Sequence, residues 1–148
     1  MPDDFSVMVG RWVDQAEGRA KEAFLAIGYA AVARVKQLTP VRTGNLRANW
    51  QLMRDGEQVP VVRKQGSSAE PGADGPRAGG GSAEDVKLGE RLVIVNPVIY
   101  ARAVEYGRTI QRNDGDETRV PGRGMMAQTI SEIPEIATKA IRDLRTPR

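Results

Sequence analysis

The chain contains no cysteine and no histidine. The first absence excludes disulfides, thiolate zinc sites and cysteine nucleophiles. The second removes the commonest general base and the commonest metal ligand. Catalysis by Asp, Glu, Lys or Ser stays open in principle, yet the two absences together weigh toward a non-enzyme without a cofactor. Aromatic residues make up only 5%, so a core must rest on Val, Ile, Leu and Ala. No apolar run approaches the ~20 residues that span a bilayer, and the acidic start Met1 to Phe5 lacks a charged-then-apolar signal pattern. The expectation is a protein made and kept in the cytoplasm until it joins an assembly. Basic runs are missing too. None exceeds two residues (Arg63-Lys64), and a net charge of +3 is spread among 19 acids. Nucleic-acid binders usually gather Lys and Arg on one face or in one run, so a mixed soluble surface is the plainer reading.

What is present fits a single domain over residues 1–148 with one modest core. Small cores of this kind are often completed by partners. The strongest periodic signal lies in residues 3 to 38. Phe5, Val9, Trp12, Ala16, Ala20, Ala23, Ile27, Ala31, Val35 and Leu38 recur at steps of three and four, one stripe on a helix. Asp3 or Asp4 can cap its start, and Pro40 stops it. Such a helix is roughly 50 Å long, more than a domain of this size should span. Gly10, Gly18 and Gly28 weaken it and allow a break or bend in its first half. Either the whole helix is a core element, or part of it projects to meet a neighbouring subunit.

Beyond a turn-rich link at residues 39–47, the spacing predicts a strand over 48–54, with Trp50 and Leu52 on one face. Val59 to Val62 is a second short candidate. Residues 65 to 85 hold eleven Gly, Pro or Ser among 21. Too little apolar surface exists there to offset ordering entropy, so a mobile loop between two strands is expected. Gly79-Gly80-Gly81-Ser82 lacks the Lys-Ser/Thr ending of a phosphate loop. Arg91 to Asn96 carries four consecutive apolar residues and reads as a strand buried on both faces. Val98 to Tyr106 reads as a short helix with Tyr100, Ala103 and Val104 inward, ended by Gly107. Residues 108–120 read as charged and irregular around a turn at Asn113 to Asp116. A last helix runs from about Gly124 to Leu144, broken or kinked at Pro134. Arg142, Arg145 and Arg148 suit its negative end. The predicted fold is α+β: a long N-terminal helix, a small antiparallel β-sheet with a mobile Gly-rich hairpin, a short helix and a long C-terminal helix.

Chemistry-bearing candidates are few. Asp114, Asp116 and Glu117 offer carboxylates without calcium-loop spacing, a weak metal reading. Glu105, between Val104 and Tyr106, is the one carboxylate in an apolar, aromatic setting that could favour acid or base work. It has no sequence-local partner, so the stronger expectation is a hydrogen bond or ion pair with an arginine of its own subunit or the next one. Thr43-Gly44-Asn45-Leu46 has the logic of a joint. Gly44 can take a left-handed backbone, Thr43 can satisfy a free backbone group, and Leu46 can anchor the turn in the core.

Three ordered segments carry a resemblance: T-P-V-R-T-G-N-L-R ending the first helix, N-P-V-I-Y-A-R-A-V-E-Y-G, and P-G-R-G-M-M-A-Q-T-I opening the last helix. Together they resemble the siphophage tail-completion or head–tail joining family, often labelled minor tail protein Z-like. Thr39, Pro40, Thr43, Gly44 and Leu46 match its first motif. Tyr100, Ala101, Val104, Glu105, Tyr106 and Gly107 match its second, and Pro121 with Met125 and Met126 loosely matches its third. The chain departs from the pattern in having Met125-Met126 where an aromatic is more usual, and in the length of its Gly-rich stretch. The resemblance covers nearly everything except residues 65–89. It implies a virion neck or tail component that forms a ring around the DNA channel and works by binding and geometry. Its partners would be further copies of itself and adjacent head-completion, tail-terminator or tail-tube proteins, with non-specific DNA contact in the channel at most. The hairpin 56–90 and turn 39–47 would then meet neighbouring rings while the helices make subunit contacts. Two rivals remain. One is a basic nucleic-acid-binding accessory protein of a phage or prophage, suggested by a pI near 9.5 and by arginines at 42, 47, 63, 77, 119, 123, 142, 145 and 148. The other is a small phosphodiester-cleaving enzyme built on Glu105 and arginines.

Overall fold

The structure is a computed structural model that describes residues 2–60 and 83–146. Its first element, α1, runs unbroken from Pro2 to Leu38, 37 residues and about 55 Å long at ~1.5 Å per residue. Gly10 and Gly18 have no atom near the position a side chain would take, so they cost helix propensity, ~1 kcal/mol each, and nothing in packing. Gly28 is different. A Cβ there would fall 2.6 Å from the Leu52 side chain, so the missing methyl lets a strand lie close against the helix.

The sequence stripe on α1 has two fates. Ala31 and Val35 are buried, and Ala23 and Ile27 are partly covered. Every residue from Asp4 to Ala20 is exposed, including Phe5, Val9 and Trp12. The leading half of α1 therefore projects beyond the packed part of the chain.

After α1 comes a one-turn helix, α2 (Asn45–Ala48), then strand β1 (Gln51–Arg54). β1 pairs antiparallel with β2 (Leu92–Val95), Leu52 opposite Ile94. The residues between them were expected to form a hairpin connection, and its two ends meet where the Asp55 amide donates to the Arg91 carbonyl at 2.9 Å. The helical start of 45–48 shortens the strand expected over 48–54. Val59 and Pro60 are not in a strand, and Val61 and Val62 lie outside the described residues. The expected mobile loop lies outside them too, apart from its end. There Ala83–Asp85 makes a turn of 3-10 helix that buries Ala83 and is followed by buried Val86. β2 is not buried on both faces. With a partner on one side only, all four of its residues stay partly exposed, and only Leu92 and Ile94 pack on the core.

Helix α3 (Ala101–Tyr106) leads directly into a second ribbon, β3 (Gly107–Gln111) paired with β4 (Glu117–Pro121). This hairpin replaces the irregular segment expected over 108–120. Its residues are mostly polar and nearly all exposed, so no core face announces it in the sequence. The expected turn closes it: the Arg112 amide donates to the Asp116 carbonyl at 2.8 Å. The last helix divides as Pro134 implies, into α4 (Met125–Ser131) and α5 (Ile133–Arg145), with Pro134 in the first turn of α5 where its missing amide costs nothing. α5 lies chiefly along α1 and not across the sheet. Arg34 of α1 fixes its start by a two-pronged ion pair to Glu132, 2.6 and 3.0 Å.

The core gathers Leu25, Val32 and Val35 of α1 with Leu46, Trp50, Leu52, Ala83, Val86 and Met125. The expected α+β class and element order hold, with two two-stranded ribbons in place of one sheet.

Candidate assembly interface

Thr39 anchors the link that leaves α1. It is buried, its hydroxyl donates to the Val35 carbonyl at 2.6 Å, and it accepts the Trp50 indole N–H at 2.9 Å. Buried polar groups of this kind must find partners, and here each satisfies the other across eleven residues. Gly44 has φ +79°, the left-handed backbone a side chain would resist. The Asn45 amide then meets the Thr43 hydroxyl at 3.4 Å, and Leu46 enters the core at 5% exposure. The joint works as its sequence indicates.

The second motif is tied to this joint by side chains. Asn45 donates to the Tyr100 hydroxyl at 3.2 Å, and Asn96 donates to the Leu46 carbonyl at 2.8 Å. Ala101 and Val104 pack against the core, and Tyr106 points outward at 75% exposure.

Among the described residues, Glu105 binds no arginine. Its carboxylate accepts the amides of Met126 at 3.0 Å and Ala127 at 3.1 Å. These are the second and third amides of α4, the ones a capping side chain normally takes. The residue before the helix is Gly124, which has no side chain to offer, so α3 supplies the cap. A carboxylate at that end also meets the positive pole of the helix. Glu105 is thereby committed to structure. Beside it the Arg123 amide donates to the Val104 carbonyl at 2.7 Å. At Gly107, φ is +87° and a Cβ would lie 2.6 Å from the Val120 carbonyl oxygen; at Gly122 one would lie 2.2 Å from that of Glu105. The base of the ribbon can close on α3 only through these two glycines.

The result is an open groove of about 800 Å³ between the joint, α3 and the ribbon. Pro40, Thr43, Gly44 and Leu46 form one wall, Tyr100 and Val104 the next, and Pro121 the third. Thr39, Ala101, Glu105 and Gly107 stand behind these walls and hold them in place. Sequence reasoning missed Arg108 and Val120; it named Val41 and Arg42 only within the turn 39–47, Ala103 only as an inward residue of the short helix, and Arg123 only as general positive charge.

Among the described residues no group of acids could hold a metal ion. Asp114 accepts the Asp116 amide at 3.2 Å, and Glu117 accepts from Gln111 across the ribbon at 2.9 Å, so the loop acids serve the turn. No helix among the described residues is long and apolar enough to cross a membrane. No family model, curated protein or solved structure matches this chain.

Proposed function

We propose that the chain is a structural component of a tailed-phage virion, a tail-completion or head–tail joining protein that forms a ring around the DNA channel in the neck or upper tail. It acts as an assembly part and not as an enzyme, with neighbouring copies and the adjacent head or tail components as partners. The observation that carries this reading is surface without cover. Phe5, Met8 and Trp12 stand exposed on one projecting helix, together an apolar patch of the kind that marks an interaction site. The motif residues that resemble the neck family support it, because segments far apart in sequence converge on one open groove. Glu105, the one candidate for acid or base work, is already engaged as a helix cap.

The test is negative-stain microscopy with mass measurement, on the purified protein alone and mixed with tails that lack it. Rings of defined size, or decoration of one tail end, are the expected result. A protein that ignores tails in every mixture would sink the reading. A second reading, a basic nucleic-acid-binding accessory protein, draws on Arg108, Arg112, Arg119 and Arg123, all exposed on or beside the β3–β4 ribbon. It predicts a gel shift on DNA that falls steeply with added salt.

A further inference from the structure

Among the described residues, two surfaces of this chain lack cover, and each has what the other needs. The first is the leading half of α1, where Phe5 is 71% and Trp12 70% exposed. At about 100° per residue, Phe5, Met8, Val9, Trp12, Ala16 and Ala20 share one stripe. That stripe continues into Ala23 and Ile27, which are partly buried in the half of α1 that packs with α5. α5 is only 13 residues long, about 20 Å, and it cannot reach the stripe's leading half. The second surface is the groove. Its walls are apolar, from Val41, Leu46, Tyr100, Val104 and Val120.

Charge sorts the two into complements. Residues 3 to 20 carry Asp3, Asp4, Asp14 and Glu17 against two bases, Arg11 and Arg19. The groove is rimmed by Arg42, Arg108 and Arg123 and has no carboxylate in its lining. By the same helical spacing, Asp4 and Glu17 border the stripe on its two sides, where rim arginines would meet them. Within one copy the surfaces cannot meet. α1 is continuous, and Trp12 lies about 40 Å along its axis from Pro40 at the groove's edge.

We propose that the leading half of α1 from one copy seats its Phe5–Trp12 stripe in the groove of a second copy. An amphipathic helix laid into an apolar groove is a recurring recognition mode. Because the two patches differ, the contact is head to tail, which closes into a ring or extends as a filament. The contact stands on these two surfaces alone; that it closes into a ring rests on the phage-neck reading.

The lack of native cysteine makes thiol pairs a clean probe. Trp12→Cys chains mixed with Val120→Cys chains under mild oxidation should give the mixed disulfide dimer in preference to either homodimer. Val7→Cys, on the far side of the helix, should not replace Trp12→Cys. In sedimentation of the full chain, Arg108→Glu with Arg123→Glu should weaken self-association about tenfold or more. Asp4→Lys with Glu17→Lys should do the same, and a chain carrying all four changes should regain it. All four sites are exposed, and circular dichroism checks that each variant folds. A Trp12→Cys homodimer as the main product would mean helix-to-helix pairing and overturn the proposal. So would monomers at every concentration without cross-linking, or association unmoved by either reversal. Full tail joining by reversed chains would overturn the helix contact and leave the neck reading standing. Mixed dimers from a protein that ignores tails would do the converse.

Discussion

Replacing Glu105 by Ala removes the acceptor for the Met126 and Ala127 amides and leaves the start of α4 without a cap. The loss of such a cap costs ~1–2 kcal/mol, and the charge on this one places it in the upper part of that range. Alanine returns a few tenths of a kcal/mol through its better helix propensity within α3. The net destabilisation is therefore about 1–1.5 kcal/mol. For a urea slope of ~2 kcal/mol per molar, the unfolding midpoint should fall by about 0.5–0.8 M with the slope unchanged. Glu105→Gln keeps an acceptor for one amide but loses the charge at the helix end, so about half of that fall is expected. Urea titration followed by circular dichroism measures both. A midpoint for Glu105→Ala that cannot be told from the parent would refute the cap. If that same variant also failed to join tails, Glu105 would be a contact residue on the assembly surface and not a scaffold residue.

Gly122→Ala should destabilise by roughly 1–3 kcal/mol, as overpacked sites do, because the added methyl would lie 2.2 Å from the Glu105 carbonyl oxygen; thermal unfolding tests it, and an unchanged midpoint would contradict the tight closure of the ribbon on α3. The ion pair from Arg34 holds the Glu132 carboxyl below its ordinary value near 4.5. Its stabilisation is therefore present in full above that value and is lost as pH falls through the lowered native one. The melting-temperature gap between the parent and Glu132→Gln should be widest near neutrality and shrink below pH 4.5; a gap that stays constant to pH 3 would contradict it. Trp12→Phe should leave stability within about 0.5 kcal/mol and remove the emission that quenchers reach. Trp50, 5% exposed and bonded to Thr39, should then emit alone and resist acrylamide; strong quenching of that variant would mean the core description is wrong.

Where one residue's neighbours in sequence are also its neighbours in space, the sequence was legible. The stop at Pro40, the left-handed Gly44, the burial of Leu46, the end of α3 at Gly107 and the division at Pro134 all follow from local chemistry. The β3–β4 ribbon was not legible, because a strand pair exposed on both faces carries no alternation between core and solvent for the eye to follow. The partner of Glu105 was hidden for a different reason. It lies 21 and 22 residues away in the chain, and it is a pair of backbone amides, which have no sequence signature at all. The groove shares that obscurity: its walls come from three separate segments, and only folding aligns them.

The stripe on α1 shows a further limit, and it bears on how such chains evolve partners. Periodic apolar residues report that a helix face is meant to leave water, and they say nothing about which chain will cover it. Over Ala23 to Leu38 the cover is intramolecular, and over Phe5 to Ala20 there is none among the described residues. The pattern does not change at the boundary, but the charge does: acids outnumber bases four to two over residues 3–20, whereas Lys21, Arg34 and Lys36 outweigh Glu22 on the remainder. A helix half destined only for solvent has no need of Phe5 and Trp12, and one destined for this chain's own core has no need of a net negative border. Apolar stripe and acidic border make sense together as one side of an interface whose other side is apolar and basic.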